Sequence, residues 1–289
     1  MPRLEIKHSI QLLCMEDVAL FAKCGSLMSA IFKEMGAAQM QRYFVPMEQL
    51  KENTVIIIGD DSRHIAKVLR MTPNEQIICV FPDGKTALVE ITNITNEHVE
   101  GTVIEWLNEE KEMPVSITIA SGLPKGDKLE YIVQKGTELG AFSFIPFIAD
   151  RSIVKWDAKK ASKKIERLQK IAKEAAEQSH RTLVPHIESP LTLRQIMEQA
   201  KDYDTLLIAY EEEAKQHEKS ALSTAVSAMK PGSKVLVVFG PEGGLTAAEV
   251  DSLQSVGFVA CGLGPRILRT ETAPLYVLAA VSYHLELLG

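Results

Sequence analysis

The sequence predicts an α/β fold in two parts, a small β-barrel followed by a larger parallel sheet covered by helices. Between Arg42 and Trp106, short apolar runs alternate with turn residues, a pattern typical of a small barrel. From Val115 onward, strand patterns alternate with helical patterns, and this order predicts a parallel sheet with helices on both faces. The charged stretch from Asn108 to Pro114 separates the two parts and indicates a linker.

Composition excludes several classes of protein. The chain has 289 residues, 46% of them apolar and 24% charged, which fits one large domain or two ordinary ones. It has no apolar run of roughly 18 residues and no signal-peptide pattern, so we expect a cytoplasmic protein without a membrane span. Its four cysteines lie far apart in sequence, so we expect neither a disulfide framework nor a metal site.

Three segments follow from these patterns. Residues 40–112 are expected to form the barrel, and residues 113–289 the domain with the parallel sheet. Residues 1–39 show no alternating strand pattern, and the run that begins at Met40 resembles a fresh start into a strand. We interpret residues 1–39 as an N-terminal extension, with an amphipathic helical arm as the alternative.

The elements of the barrel are expected in the order of its apolar runs. Alternating or continuous apolar residues predict strands at 43–45, 55–58, 77–81, 87–91 and 99–104. Turn residues at 59–61, 82–85 and 93–96 separate these strands. A helical patch at 62–70 follows the second strand. Barrels of this size often bind RNA, although a purely structural appendage is an equally fair interpretation.

The elements of the larger domain are predicted from the change of period. Apolar runs predict strands at 115–120, 142–148, 205–210, 234–240 and 258–263. Helical spacing predicts helices at 128–139, 158–179, 191–200, 217–229, 246–256 and 272–287. Gly140 stops the first of these helices, and Thr246 with Glu249 forms a capping box that starts the fifth.

The charge is distributed unevenly. The whole chain carries a net charge of −6, which argues against a protein coated in positive charge for nucleic acid. Residues 151–181, however, contain ten basic and four acidic residues, a net charge of +6. Salt screens distant acidic groups, so this segment can attract phosphate locally; a solvated helix face is the alternative.

Three loops at predicted strand ends carry the candidate chemistry, because ligands of a parallel sheet bind at the carboxyl ends of its strands. The first follows Ala209, and the second runs from Phe239 through Gly240, Gly243 and Gly244 into a capped helix. Three glycines in five residues exceed what a turn needs, and bare amides at a helix start favour an anionic or carbonyl-bearing ligand. A tight strand-to-helix turn is the structural alternative.

The third loop spans residues 262–274 and contains Arg266, Arg269 and Glu271 before a helix with Pro274 in its first turn. It begins with a G-x-G, but Ile267 stands where a dinucleotide site needs a third glycine, so a classical NAD or FAD site is disfavoured. No phosphate-binding G-x-x-x-x-G-K-[ST] motif exists either. Surface solvation of the charged residues is the alternative to a ligand site.

Two C-terminal motifs carry a family resemblance. The segments at 239–245 (FGPEGGL) and 263–273 (LGPRILRTETA) resemble the paired motifs of the SPOUT methyltransferases. More closely, they resemble the ribosomal RNA small subunit methyltransferase E family, which methylates uridine N3 in 16S ribosomal RNA. Segments 125–128, 135–140 and 174–181, and His64 with the run 68–70, also fit that family. The resemblance covers about residues 40–289.

The resemblance implies a fold and a cofactor that composition and periodicity do not reveal. It implies a SPOUT-type parallel sheet whose C-terminal segment forms a trefoil knot, preceded by a PUA-like barrel that helps to hold RNA. It also implies a homodimer acting on 16S ribosomal RNA, with S-adenosylmethionine bound in the knot. The cofactor-binding residues are then expected to be Ala209, Tyr210, Phe239, Gly240, Gly243, Gly244, Leu263, Gly264, Arg266, Ile267, Leu268, Thr270, Thr272 and Ala273.

Candidate roles follow from the chemistry of uracil N3, which carries a proton and is a poor nucleophile until that proton leaves. Arg269 is the candidate for stabilising the anion or a phosphate, and Glu271 for moving the proton. Glu271 could instead cap helix amides or pair with Arg266. The RNA-binding candidates are Arg42, His64, Arg70, Lys125, Lys128, Arg151, Gln178 and Arg181.

Rival functions remain at this stage. A non-enzymatic RNA-binding protein would keep the barrel and the basic helix but would not bind S-adenosylmethionine. A SPOUT enzyme acting on a ribose 2′-hydroxyl or on another RNA is a second rival; the family motifs favour uridine N3, but the physical chemistry of the residues alone does not choose between them. A different nucleotide-dependent enzyme is weakened by the missing fingerprints.

Overall fold

The computed structural model describes residues 40–210 and 221–288, which form two β-sheets with their helices. The interpretation of residues 1–39 and the beginning of the helix expected at 217–229 lie outside the described residues.

The first sheet has six strands and builds a core of its own. Its strands, in chain order, are β1 (Arg42–Phe44), β2 (Leu50–Lys51), β3 (Thr54–Ile58), β4 (Gln76–Val80), β5 (Thr86–Ile94) and β6 (His98–Leu107). They lie in the order β1-β4-β5-β6-β3-β2, with β1 parallel to β4 and the other pairs antiparallel. Helix α1 (Gly59–Arg63) continues into a π-turn at His64–Val68. Ile65 on this turn packs into the core with side chains of β3, β4 and β5.

The second sheet is entirely parallel, which confirms the α/β class. Its strands are β7 (Ser116–Gly122), β8 (Ser143–Ile148), β9 (His186–Ile187), β10 (Leu191–Thr192), β11 (Thr205–Ala209), β12 (Lys234–Phe239) and β13 (Val259–Cys261). Their order is β10-β8-β7-β12-β11-β13, and β9 also pairs with β8. Central strand β12 is buried from Val235 to Phe239, as expected of a strand covered on both faces.

Helices cover both faces of this parallel sheet. They are α2 (Lys128–Glu138), α3 (Ala158–Gln178), α4 (Leu193–Gln199), α5 (Ala221–Ala228), α6 (Ala247–Ser255) and α7 (Ala273–Ser282), the last continuing as a π-turn at Tyr283–Leu287. Helices α2, α3, α5 and α7 enclose one core, whereas α4 and α6 enclose the other. The two faces therefore carry separate cores.

Three short strands were not predicted. Strands β2, β9 and β10 have two residues each, too few to show a period. Leu191 and Thr192 were expected to begin a helix, but they pair with Phe147 and Ile148 of β8. Helix α4 then begins after Thr192, whose side chain forms a capping box with Gln195.

Two predicted RNA-binding residues, Arg42 and Arg181, are buried between the two sheets, and these predictions are corrected. The Arg42 side chain is 1% exposed and its guanidinium donates to Glu109, with a shortest distance of 2.8 Å. Arg181 donates to the Glu112 carboxylate and to the carbonyl oxygen of Ala141, the latter at 2.7 Å. Both guanidinium groups are thus paired with carboxylates of the protein itself and are buried away from any RNA surface.

Candidate active site

The carboxyl ends of three neighbouring strands meet at one edge of the parallel sheet. Ala209, at the end of β11, is in register with Phe239 of β12 and with Cys261 of β13. The loops that follow these strands therefore leave the sheet side by side. They border a cavity of about 520 Å³, a size typical of a site for a cofactor or small ligand.

The glycine loop, residues 240–246, brings backbone atoms to the cavity. A Cβ on Gly240 would lie 2.7 Å from the carbonyl carbon of Gly244, so a side chain cannot be placed there without moving the loop. Gly244 has a φ of +68°, in the left-handed region that favours glycine. The loop then enters α6 through the predicted capping box of Thr246 and Glu249. The glycines thus serve both a tight turn and the exposure of backbone groups to a ligand.

The last loop, residues 262–272, is joined directly to the glycine loop. The hydroxyl of Thr270 donates a hydrogen bond to the carbonyl oxygen of Gly240 at 2.7 Å. Ile267, Leu268 and Arg269, from the same loop, line the cavity. The two loops that carry the sequence motifs therefore meet and enclose one space.

Residues after β8 brace the glycine loop from behind. Arg151 donates to the carbonyl oxygen of Gly243 at 2.8 Å, and the backbone amide of Asp150 donates to the Glu249 carboxylate at 2.8 Å. The other oxygen of Glu249 accepts from the backbone amide of Thr246 at 2.7 Å. Glu249 is 2% exposed, so one buried carboxylate fixes the start of α6 against the loop after β8.

A lysine between two carboxylates closes one side of the cavity. The Lys128 ammonium lies 3.0 Å from Glu242 Oε1 and 3.4 Å from Glu271 Oε2. Its hydrogen bond to Glu242 and the charges of both carboxylates raise the pKa of Lys128. Partial burial would raise the pKa of Glu242, but hydrogen bonds from backbone amides and from Lys128 outweigh it and lower the pKa. Both groups are therefore charged near neutral pH.

Glu271 is the carboxylate of this group that is left incompletely satisfied. Its Oε2 atom is buried and, among the described residues, forms no hydrogen bond of normal geometry; the Lys128 ammonium lies 3.4 Å from it. The expected alternatives, a helix cap or a pair with Arg266, are not what the structure shows, because Glu271 pairs with Lys128. Glu271 itself is not among the residues that line the cavity; it lies behind Lys128, which does line it.

Among residues 40–210 and 221–288, no cluster of three or more His, Cys, Asp or Glu side chains is placed to hold a metal ion. Within the same residues, no helix has the length and apolar character to cross a membrane.

Known protein families match both sheets. Residues 111–282 match the family described as RNA methyltransferase domain, and residues 57–104 match the RNA methyltransferase PUA domain. The chain is 55% identical over 252 residues to ribosomal RNA small subunit methyltransferase E of Bacillus subtilis, covering 86% of this chain and 98% of that protein.

The chain belongs to the ribosomal RNA small subunit methyltransferase E family.

More distant members of the family are similar over the same range. The Synechocystis protein of the same name is 31% identical over 245 residues, covering 85% of this chain and 78% of that protein. The crystal structure of ribosomal RNA small subunit methyltransferase E from Neisseria gonorrhoeae, bound to S-adenosyl methionine, superposes with a TM-score of 0.74. It is 30% identical and covers 85% of this chain and 98% of that one. The resemblance to ribosomal RNA small subunit methyltransferase E is confirmed, and the chain is an RNA methyltransferase.

Most residues expected to bind the cofactor of this methyltransferase lie around the cavity. Ten of the fourteen line it: Ala209, Tyr210, Phe239, Gly240, Gly243, Gly244, Ile267, Leu268, Thr270 and Ala273. Leu263 and Gly264 instead line a separate cavity of about 530 Å³ against α5 and α7. Arg266 and Thr272 are exposed and lie outside both linings.

The expected RNA-binding residues of the methyltransferase fall into different environments. Lys128 and Arg151 line the cofactor-sized cavity rather than a separate RNA surface. Lys125, Arg70 and Gln178 are exposed. His64 is half-buried, and its Nδ1 lies 3.0 Å from the Tyr43 hydroxyl.

Four further lining residues of the methyltransferase cavity were not predicted: Pro241, Glu242, Leu245 and Ala247. Glu242 had a sequence signal, because it stands inside the FGPEGGL motif. No sequence signal placed Lys128 beside Glu242, which is 114 residues away in sequence.

Proposed function

We propose that this chain transfers the methyl group of S-adenosylmethionine to N3 of a uridine in 16S ribosomal RNA. The observation that carries the proposal is the hydrogen bond between Thr270 and Gly240, which joins the two motif loops around one cavity. The Neisseria gonorrhoeae relative bound to S-adenosyl methionine supports the choice of cofactor, and the names of the relatives support the substrate.

The residues around the cavity fit this cofactor. The position of Gly240 has no room for a Cβ, so backbone amides and carbonyls, rather than side chains, meet a ligand there, as recognition of an adenine edge requires. Phe239, Leu268 and Ala273 supply apolar surface, and Tyr210 lies at the rim. When bound, S-adenosylmethionine supplies a methyl group already activated by its sulfonium, so the protein has to position the acceptor and remove a proton.

Charged residues in the cavity lining, with Glu271 behind Lys128, can prepare the uracil. We assign Glu271 to take the proton from N3 and Arg269 to stabilise the negative charge that spreads to the uracil oxygens. Lys128 holds Glu271 in place, and Glu242 holds Lys128. The remaining exposed candidates, Lys125, Arg70 and Gln178, together with His64, are assigned to RNA contact.

The outer side of α7 and of the turn that follows it exposes apolar side chains, which suits contact with a second copy of the chain. Tyr276, Tyr283, Leu287 and Leu288 are 40%, 56%, 73% and 63% exposed, more apolar surface than one helix end normally leaves in water. We propose that this surface forms the homodimer interface of the enzyme. In sedimentation velocity, Tyr283→Glu together with Leu287→Glu should convert a dimer to a monomer, whereas a wild-type monomer would contradict the interface.

The proposal extends to the organisation of the chain. We assign residues 40–112 to a PUA-like barrel, residues 113–289 to the SPOUT domain and residues 1–39 to an N-terminal extension. The strand order supports threading of the C-terminal segment into a trefoil knot, because the chain passes from β11 inward to β12 and then back past β11 to β13. An enzyme acting on ribosomal RNA in the small subunit belongs in the cytoplasm.

The test is mass spectrometry of ribosomal RNA nucleosides from cells with and without the gene. Loss of 3-methyluridine from 16S ribosomal RNA, restored by the wild-type chain, is the expected result. Loss of a 2′-O-methylated nucleoside instead would identify a ribose methyltransferase. An unchanged nucleoside profile, together with no binding of S-adenosylmethionine in calorimetry, would leave only a non-catalytic RNA-binding protein.

A further inference from the structure

Helix α3 exposes a row of lysines on the side that faces away from the protein. Lys159, Lys163 and Lys170 are exposed, whereas Leu168 and Ala172 on the opposite side are buried in the core. The spacing of four and seven residues places the three lysines along one line of the helix. We call these three residues the α3 lysine ridge.

Three of the other basic residues of α3 contact neighbouring elements, and the fourth, Lys160, lies 3.4 Å from Asp157 at the start of the helix. On one flank, Arg167 donates to Glu130 of α2 at 2.7 Å, and Lys164 lies 3.7 Å from the same carboxylate. On the other flank, Lys173 lies 2.6 Å from Asp61 of α1. These flanking residues attach α3 to its neighbours, most firmly through Lys173, whose side chain is 33% exposed.

The α3 lysine ridge, in contrast, keeps most of its charge for solvent. Among the described residues, no carboxylate lies within 4 Å of the ammonium groups of Lys159 or Lys163, and Lys170 reaches Glu174 only at 3.9 Å. The side chains of Lys170 and Glu174 are 65% and 62% exposed, so this last pair is weak. Glu166 is also exposed on this face, between Lys163 and Lys170, so the ridge is a predominantly basic line, on a chain whose net charge is −6.

The position of the ridge connects the two parts of the molecule. Helix α3 follows the loop of Arg151, which bonds to the glycine loop of the cavity, and its last turns reach α1 of the first sheet through Lys173 and Asp61. A helix of 21 residues is about 30 Å long. The ridge therefore runs from the side of the cavity towards the first sheet.

We infer that the α3 lysine ridge binds the phosphate backbone of the RNA substrate and guides it from the cavity towards the first sheet. This inference rests on the proposed function and adds the surface by which the substrate is held away from the reacting base. Along the helix axis, Lys159 and Lys163 are about 6 Å apart and Lys163 and Lys170 about 10 Å apart, so the three cations span a chain of phosphates rather than a single anion. Contacts to phosphates do not read the base sequence of the RNA; they supply binding affinity and fix the position of the RNA along the protein.

The test compares a ridge variant with a matched variant elsewhere. The ridge variant combines Lys159→Gln, Lys163→Gln and Lys170→Gln; the control combines Lys201→Gln, Lys230→Gln and Lys234→Gln, exposed lysines at the amino edge of the parallel sheet. Binding of a 16S ribosomal RNA fragment is measured over a series of salt concentrations. Each lost phosphate contact lowers the slope of log affinity against log salt by about 0.7 to 0.9. We expect a decrease of about 2 to 3 for the ridge variant and no change for the control.

Two further measurements separate this inference from the proposed function and from misfolding. S-adenosylmethionine affinity by calorimetry and the melting temperature should be the same in the wild type and both variants. A ridge variant with the wild-type salt slope and wild-type KM for RNA would overturn the inference while leaving the methyltransferase intact. A wild-type chain without cofactor binding or methylation would instead overturn the proposed function. The single variants, each expected to lower the slope by about one contact, keep the test decisive if the triple variant is unstable.

Discussion

The hydroxyl of Thr270 joins the two motif loops through its hydrogen bond to Gly240. Thr270→Val keeps the shape of the side chain but leaves this carbonyl without its donor, at a cost of about 1–3 kcal/mol. If the loops must be joined to bind the cofactor, S-adenosylmethionine affinity should fall about tenfold in calorimetry. Thr224→Val, at an exposed position of α5, is the matched control and should bind normally. An unaltered affinity of the Thr270 variant would show that the link is not needed.

Substitution of Arg269 tests whether this residue stabilises the uracil anion. Arg269→Ala should lower kcat for RNA methylation about 100-fold, because it removes a cation from the place where charge develops. The dissociation constant of S-adenosylmethionine should change much less. Arg266→Ala is the control, since Arg266 is exposed and lies outside the cavity lining. Near-normal turnover of the Arg269 variant on its RNA substrate would remove Arg269 from the mechanism.

Single residues were predictable from sequence in the later part of the loop after β13, whereas Leu263 and Gly264, nearest the strand end, line the separate cavity. Arg269 and Thr270 follow the end of a strand, and both line the cavity. Arg42 and Arg181 were wrongly expected at the RNA surface, because their burial depends on Glu109 and Glu112, carboxylates 67 and 69 positions away. A sequence pattern records which residues are charged but not which distant partner neutralises them.

At the scale of elements, helix α6 depends on a buried cap. Glu249→Ala removes the acceptor for the backbone amides of Thr246 and Asp150, both near the cavity. Loss of the cap and of the second bond should cost about 2 kcal/mol, or a melting temperature about 4–8 °C lower. The matched control is Gln195→Ala in the exposed capping box of α4, where the loss should be smaller by half or more. Equal losses in the two variants would contradict the role given to burial.

Helices and strands with a periodic hydrophobic pattern or a capping motif were predicted from the sequence. Strands that are defined only by their hydrogen bonds to a neighbouring strand were not. The six helices of the larger domain follow helical spacing, and α6 begins at its capping box as expected. Strands β9 and β10 exist because β8 has a free edge beside them, and two residues carry no pattern of their own. The sequence also could not show the order of strands in the sheet, which depends on packing of the whole chain.

At the scale of the whole molecule, the carboxyl group of Glu177, between α3 and α1, makes the free energy of unfolding depend on pH. Burial, with the nearby charge of Asp61, raises the pKa of Glu177 from 4.5 to about 7, although Lys173 acts in the opposite direction. In the unfolded chain this group loses its proton near pH 4.5, whereas in the folded chain it retains it up to about pH 7. Its contribution to stability therefore decreases as the pH rises from about 4.5 to about 7 and stays low above that.

Glu177→Gln removes this titration. The variant should melt at a higher temperature than the wild type at pH 8, and the difference should shrink towards pH 5 in a series of thermal unfolding curves. Glu174→Gln, one turn earlier and exposed, should show no such trend. A difference that stays constant across the pH series would indicate that the pKa of Glu177 is not raised.

The dependence of the cavity on residues 267–273 has a consequence for synthesis of the protein. Chains are made from the amino terminus, and their domains fold as they emerge. A copy that ends before Thr270 has the glycine loop and most of the sheet but not the wall that closes the cavity. Incomplete translation products are therefore expected neither to bind the methyl donor nor to modify RNA. Only chains synthesised through this last loop can be active.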